Sequence, residues 1–86
     1  MKTYFIGIDI SMDTLDVWIL NDCNEKQTVL KLENTVEGIE KMIDSASGFE
    51  LDSEQRYCFE NTGNYGLLLY RMLEHKQIYY YQVPAL

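Results

Sequence analysis

The chain has 86 residues, 47% of them hydrophobic, and a formal net charge of −7. A chain of this length forms one small domain that buries roughly 60–65% of its unfolded surface, and its hydrophobic share excludes a disordered segment. The negative charge argues against a free-standing nucleic-acid binder, because phosphate contacts supply most of the affinity of such a protein.

The first segment, "KTYFIGIDIS", is nearly continuously apolar from Tyr4 to Ile8, which predicts a central strand buried on both faces. Gly7 within it would permit close backbone approach. "TLDVWIL" predicts a second strand, with Leu15, Val17 and Ile19 alternating against Asp16, Trp18 and Leu20. "NDCNE" is a turn, and "KQTVLKLE" a third strand that sets Thr28, Leu30 and Leu32 against Val29 and Lys31. The short links between these segments predict an antiparallel meander.

The period then changes. In "NTVEGIEKMIDSAS", Val36, Ile39, Ile43 and Ala46 follow helical spacing. Asn34 is the expected N-cap, with Glu37 three residues later in a capping-box-like pattern. After the polar loop "SGFELDSEQ", "RYCFE" predicts a fourth strand and "YGLLLYRMLEHK" a second helix, with Tyr65, Leu69, Met72 and Leu73 on one stripe. "IYYYQV" predicts a fifth strand. The topology is β-β-β-α-β-α-β. Right-handed crossovers would place the fourth strand parallel to the first and the fifth beyond it. The fold class is therefore α/β, a mixed sheet of order 3-2-1-4-5, which is the ribonuclease H-like sheet.

Two carboxylates stand out in this arrangement. Asp9 lies near the end of the first strand, and Glu60 ends the fourth. Parallel neighbours about 4.8 Å apart would bring both to the carboxyl edge of the sheet, where open α/β sheets bind ligands. Close carboxylates repel unless a cation neutralises them, and hard oxygen ligands suit Mg²⁺ or Mn²⁺. The plain alternative is a strand aspartate and a solvated strand-end glutamate. After Glu60, the turn "NTGNYG" supplies Gly63 and Gly66 for a sharp change of direction. Asn61, Thr62 and Asn64 supply capping and turn hydrogen bonds, and Tyr65 is expected to pack at the helix start. Asp13 and Asp16 read as turn and exposed-face residues, and His75 as a helix-end residue interacting with the dipole. "YYYQ", residues 79–82, reads as a strand with one buried face rather than a base-stacking platform.

The segments "FIGIDISMDTLDVWIL", "NTVEGIEKMI" and "FENTGNYGLLLYRMLEHKQI…VP" resemble the opening part of DEDD-type, RuvC-like insertion-sequence transposases, the family numbered one-ten. The combination of "GIDIS", "NT..G" and "E.TG.Y" carries the resemblance, in order and spacing. It implies a ribonuclease H-like fold and a metal-dependent enzyme that breaks and joins DNA strands by phosphoryl transfer. Asp9 and Glu60 match the first two acidic ligands of the family. By the same resemblance, residues 1–86 are the N-terminal part of a catalytic domain, truncated at its C-terminus. The two further aspartates and the serine region of the family come later in the polypeptide and are absent here, so the fragment alone is expected to be inactive. Met12 stands where members commonly carry lysine. DNA is the implied partner of the full-length protein, and the family brings a guide RNA with it.

Two other classes compete. Actin-like sugar kinases and ATPases share the sheet and a similar "GID" strand, but "ISMDTLD" offers neither a glycine nor a tight loop to cradle phosphates. A non-enzymatic domain could pair with itself, as a homo-oligomer, or with a partner through its sheet edge and tyrosines. The N-terminus, with its short apolar stretch interrupted by Asp9, is a poor signal peptide, and no apolar run reaches the roughly 20 residues of a membrane span. Cys23 and Cys58 show no metal-ligand spacing. A cytoplasmic protein with free thiols and no membrane association is the expectation.

Overall fold

The computed structural model describes residues 3–21, 26–48, 53–60 and 63–84. Its elements run β1 (Thr3–Ile10), β2 (Thr14–Asn21), β3 (Lys26–Glu33), α1 (Val36–Ser47), β4 (Glu54–Glu60), a 3₁₀ turn (Gly63–Gly66), α2 (Leu67–His75) and β5 (Tyr80–Val83). They build a five-stranded sheet of order β3-β2-β1-β4-β5. β1–β2 and β2–β3 are antiparallel, and β1–β4 and β4–β5 are parallel. This is the ribonuclease H-like order expected from the alternation of strand and helix patterns.

Period-2 alternation decides which face of the sheet is covered. Tyr4, Ile6, Ile8 and Ile10 of β1, Leu15, Val17 and Ile19 of β2, and Tyr57 and Phe59 of β4 are buried on one face. Ile39, Met42 and Ala46 of α1 and Leu69 and Leu73 of α2 complete the same core. At β5, the Tyr80 ring stacks on Phe59 with centroids 5.4 Å apart, and its hydroxyl donates to Glu74 of α2 at 2.5 Å.

The opposite face is open, which corrects the expectation that β1 is buried on both sides. Phe5, Val29, Tyr81 and Val83 on that face are each more than one-third exposed. Cys58 lies there too, as an exposed free thiol. Cys23 lies outside the described residues. The apolar run Tyr4–Ile8 misled because Phe5 contributes hydrophobicity without burial, and hydropathy alone does not separate the two.

The entry to α1 also differs by one residue from its sequence pattern. Thr35, not Asn34, is the N-cap, and its side-chain oxygen accepts from the Gly38 N–H at 3.1 Å. Gly38 then passes so close to β3 that a Cβ built on it would lie 1.9 Å from the Glu33 carbonyl oxygen. Met42, absent from the expected stripe, is fully buried, whereas Val36 is exposed. At the end of α2, Gln77 adopts a left-handed conformation (φ 59°). Its N–H donates to the Glu74 carbonyl at 3.0 Å, and the Ile78 N–H reaches back to Leu73 at 2.8 Å. The helix closes there and the chain turns into β5.

Gly38→Ala should destabilise the chain by about 1–3 kcal/mol in urea unfolding, because backbone of β3 or α1 must shift to admit the methyl group. A variant as stable as the native chain would mean that α1 sits further from β3. A second expectation concerns pH. Burial, with the Asp44 carboxylate adding, raises the Tyr57 phenol well above its ordinary value. The folded chain therefore keeps this proton where the unfolded chain has lost it. The corresponding stability is complete below the unfolded value of about 10 and is lost as pH rises above it. Tyr57→Phe should make the alkaline fall in stability shallower; an unchanged slope would show that water reaches the phenol.

Candidate functional site

Asp9 and Glu60 reach one site because of strand register. β1 pairs with β4 in parallel, Gly7 opposite Cys58 and Ile8 opposite Phe59. One residue further on, Asp9 and Glu60 occupy equivalent positions on neighbouring strands. Gly7 and Cys58 belong to the open face, so alternation returns Asp9 and Glu60 to that face. Both carboxylates are exposed. A one-residue slip of either strand would separate them to opposite faces.

The pairings extend this level into a row across the sheet. Asp16 lies opposite Asp9, Lys31 opposite Asp16, and Val83 opposite Glu60. The next row toward the other end is Val29, Trp18, Gly7, Cys58 and Tyr81. An open concavity of about 560 Å³ lies over these rows, lined by Gly7, Ile8, Asp9, Trp18, Cys58, Phe59, Glu60 and Val83. Gly7 is its floor. A Cβ built there would meet nothing within 4 Å, so the glycine leaves space rather than permitting a close backbone approach. On the same face of β4, Arg56 is paired with Glu54 at 3.2 Å.

The donor set suits a hard divalent cation only in part. Two exposed carboxylates on one face supply oxygen ligands of the right kind. Among the described residues, no group of three or more His, Cys, Asp or Glu side chains is placed to hold a metal ion. Asp16, though opposite Asp9 in register, thus does not complete such a group, and Asp13 is an exposed turn residue.

The turn after Asp9 is closed on itself. The Ser11 N–H donates to the Thr14 carbonyl at 2.9 Å, and its hydroxyl lies 2.7 Å from that of Thr14. These groups face each other instead of forming the phosphate cradle of a kinase-like site. Met12 is exposed. After Glu60, Asn61 and Thr62 lie outside the described residues. Gly63 takes φ +65°, the conformation that favours glycine. The Gly66 N-cap of α2 has no side-chain cap bond. Tyr65, at the start of α2, is about half exposed, and its carbonyl accepts from Asn34 Nδ2 at 2.9 Å.

Asn34 is the residue that the sequence pattern assigned elsewhere. Released from capping by Thr35, its Nδ2 donates to the carbonyls of Ser11 at 3.0 Å and Tyr65 at 2.9 Å. Its backbone N–H donates to the Asp13 carbonyl at 2.9 Å. Two cap-capable residues in succession, Asn34 and Thr35, were the available signal that one of them had other work.

The sequence model of the DEDD transposase family of insertion sequence IS110, described as a transposase, matches residues 6–86. No curated protein matches the chain. The match spans nearly all of the sequence and includes both strand-end carboxylates and the segments that flank them, so the chain belongs to the DEDD transposases of the IS110 family.

Proposed function

We propose that the chain supplies the first two carboxylates of a metal-dependent catalytic centre for DNA strand breakage and joining. The observation that carries this reading is the register of β1 and β4, which sets Asp9 and Glu60 side by side on the open face. Membership of a transposase family supports a role in DNA transposition. In this reading Asp9 and Glu60 would hold Mg²⁺ or Mn²⁺. Such ions supply charge stabilisation at a phosphoryl oxygen and activation of an oxygen nucleophile.

The residues of the chain contribute ligands and space. Glu60 is held at the end of a strand whose inward neighbour, Phe59, is buried in the core, so its backbone is anchored. Gly7 keeps the floor of the concavity clear beside Asp9. With a net charge of −7, phosphate must be attracted by bound cations or by cationic surface outside these residues. Mg²⁺ keeps several of its waters and is often bound by one or two carboxylates plus substrate phosphate, so metal binding by two carboxylates alone is weak. Among the described residues no helix is long and apolar enough to cross a membrane. A guide RNA and a homo-oligomer remain proposals drawn from the resemblance and from the exposed sheet edge.

Titration with Mn²⁺, followed by electron paramagnetic resonance, tests the site. Weak binding is expected, falling at least about tenfold (about 1.4 kcal/mol) in Asp9→Asn and in Glu60→Gln. Equal binding by the native chain and both variants would remove the carboxylates from the metal site. The chain alone should leave DNA intact in Mn²⁺. Cleavage that disappears in Glu60→Ala would show that two carboxylates suffice, contrary to this proposal.

A further inference from the structure

We propose that Asn34 is the positioning residue that holds the two carboxylate-bearing strand exits together. The inference rests on the reading of Asp9 and Glu60 as one site. The paired residues of β1 and β4 end at Ile8 and Phe59, one position short of both carboxylates. Asp9 stays paired to Asp16 of β2 and Glu60 to Val83 of β5, but the β1–β2 turn and the Gly63–Gly66 turn that follow them lie outside the sheet. A tie between those two turns fixes how they lie against each other.

Asn34 supplies that tie. Ser11 lies two residues after Asp9, and Tyr65 five residues after Glu60. The Nδ2 of Asn34 has two hydrogens, and the carbonyls of Ser11 and Tyr65 accept at 3.0 and 2.9 Å. The backbone N–H of Asn34 grips the β1–β2 turn a second time, at the Asp13 carbonyl. The three sequence motifs "GIDIS", "NT..G" and "E.TG.Y" therefore meet at one amide. The Oδ1 of Asn34 is buried without a hydrogen-bond partner. The side chain is thus held through its donors alone, and neither aspartate nor alanine can replace them. Capping of α1 belongs to Thr35, so loss of the Asn34 side chain leaves the helix start in place.

The test compares the native chain with Asn34→Asp, which keeps the shape and loses the donors, and with Asn34→Ala. Thr35→Ala is the control, because it removes a neighbouring cap without touching either strand exit. In both Asn34 variants the Mn²⁺ affinity should fall about tenfold, the lower end of the effect of outer-shell partners. Backbone order parameters of Gly63–Gly66 should drop toward the flexible range below about 0.6 while those of the strands stay near 0.85. Thr35→Ala should lower the unfolding temperature and leave Mn²⁺ affinity within about twofold. In the native chain the Asn34 side-chain amide hydrogens should exchange slowly with solvent.

Native affinity in both Asn34 variants would overturn the proposal. If the native chain itself binds no Mn²⁺, the metal reading fails, and the order parameters decide the positioning role: a rigid Gly63–Gly66 in Asn34→Asp overturns it. Should neither variant fold, fast exchange of the side-chain amide in the native chain overturns it.

Discussion

Parallel pairing of β1 with β4 is the constraint on which the site depends. These strands are separated in sequence by β2, β3 and α1, so their pairing closes a long loop before any contact between them is gained. Burial of Ile6, Ile8, Tyr57 and Phe59 under the two helices supports it. Because the side-chain period is two, burial of those four residues also forces Gly7, Asp9, Cys58 and Glu60 to the other face. Core packing and site assembly are thus one event, and the helices, although packed on the opposite face, set where the carboxylates point.

The motif segments acquire separate physical tasks in this frame. In "NT..G", Asn34 reaches across to two strand exits, Thr35 caps α1, and Gly38 admits the helix close to the β3 backbone. Spacing follows from these tasks: Thr35 and Gly38 are three apart because an N-cap oxygen accepts from the N–H of the third helical residue. In "E.TG.Y", Gly63 takes the left-handed conformation and Tyr65 offers its carbonyl to Asn34. Any residue at position 65 would supply that carbonyl, and the tyrosine itself is about half exposed.

Topology and the placement of the two carboxylates on neighbouring strands were legible because they depend on periodicity, short connections and the scarcity of charge inside apolar strands. Leu15, Val17 and Ile19 alternate with polar or bulky partners, and the structure buries that set. What could not be read depends on tertiary geometry. An apolar run does not say whether a second layer covers Phe5. Adjacent Asn34 and Thr35 can both cap, and only the position of the β1–β2 turn decides which is drawn away. Gly7 reads as a close-approach glycine until the space above it is seen. The roles expected for Asn61 and Thr62 fall outside the described residues.

The open face carries an acidic row beside an apolar one, with the concavity over both. In the proposed reading the carboxylates would hold a cation at one end, beside a cleared floor bounded by Trp18, Cys58 and Val83. All of this requires that the β1–β4 register is as described. Cross-strand nuclear Overhauser effects in the labelled chain measure it directly. Contacts pairing Gly7 with Cys58 and Ile8 with Phe59 are predicted. A register shifted by one residue, pairing Asp9 with Phe59, would put Glu60 on the face opposite Asp9 and contradict the account.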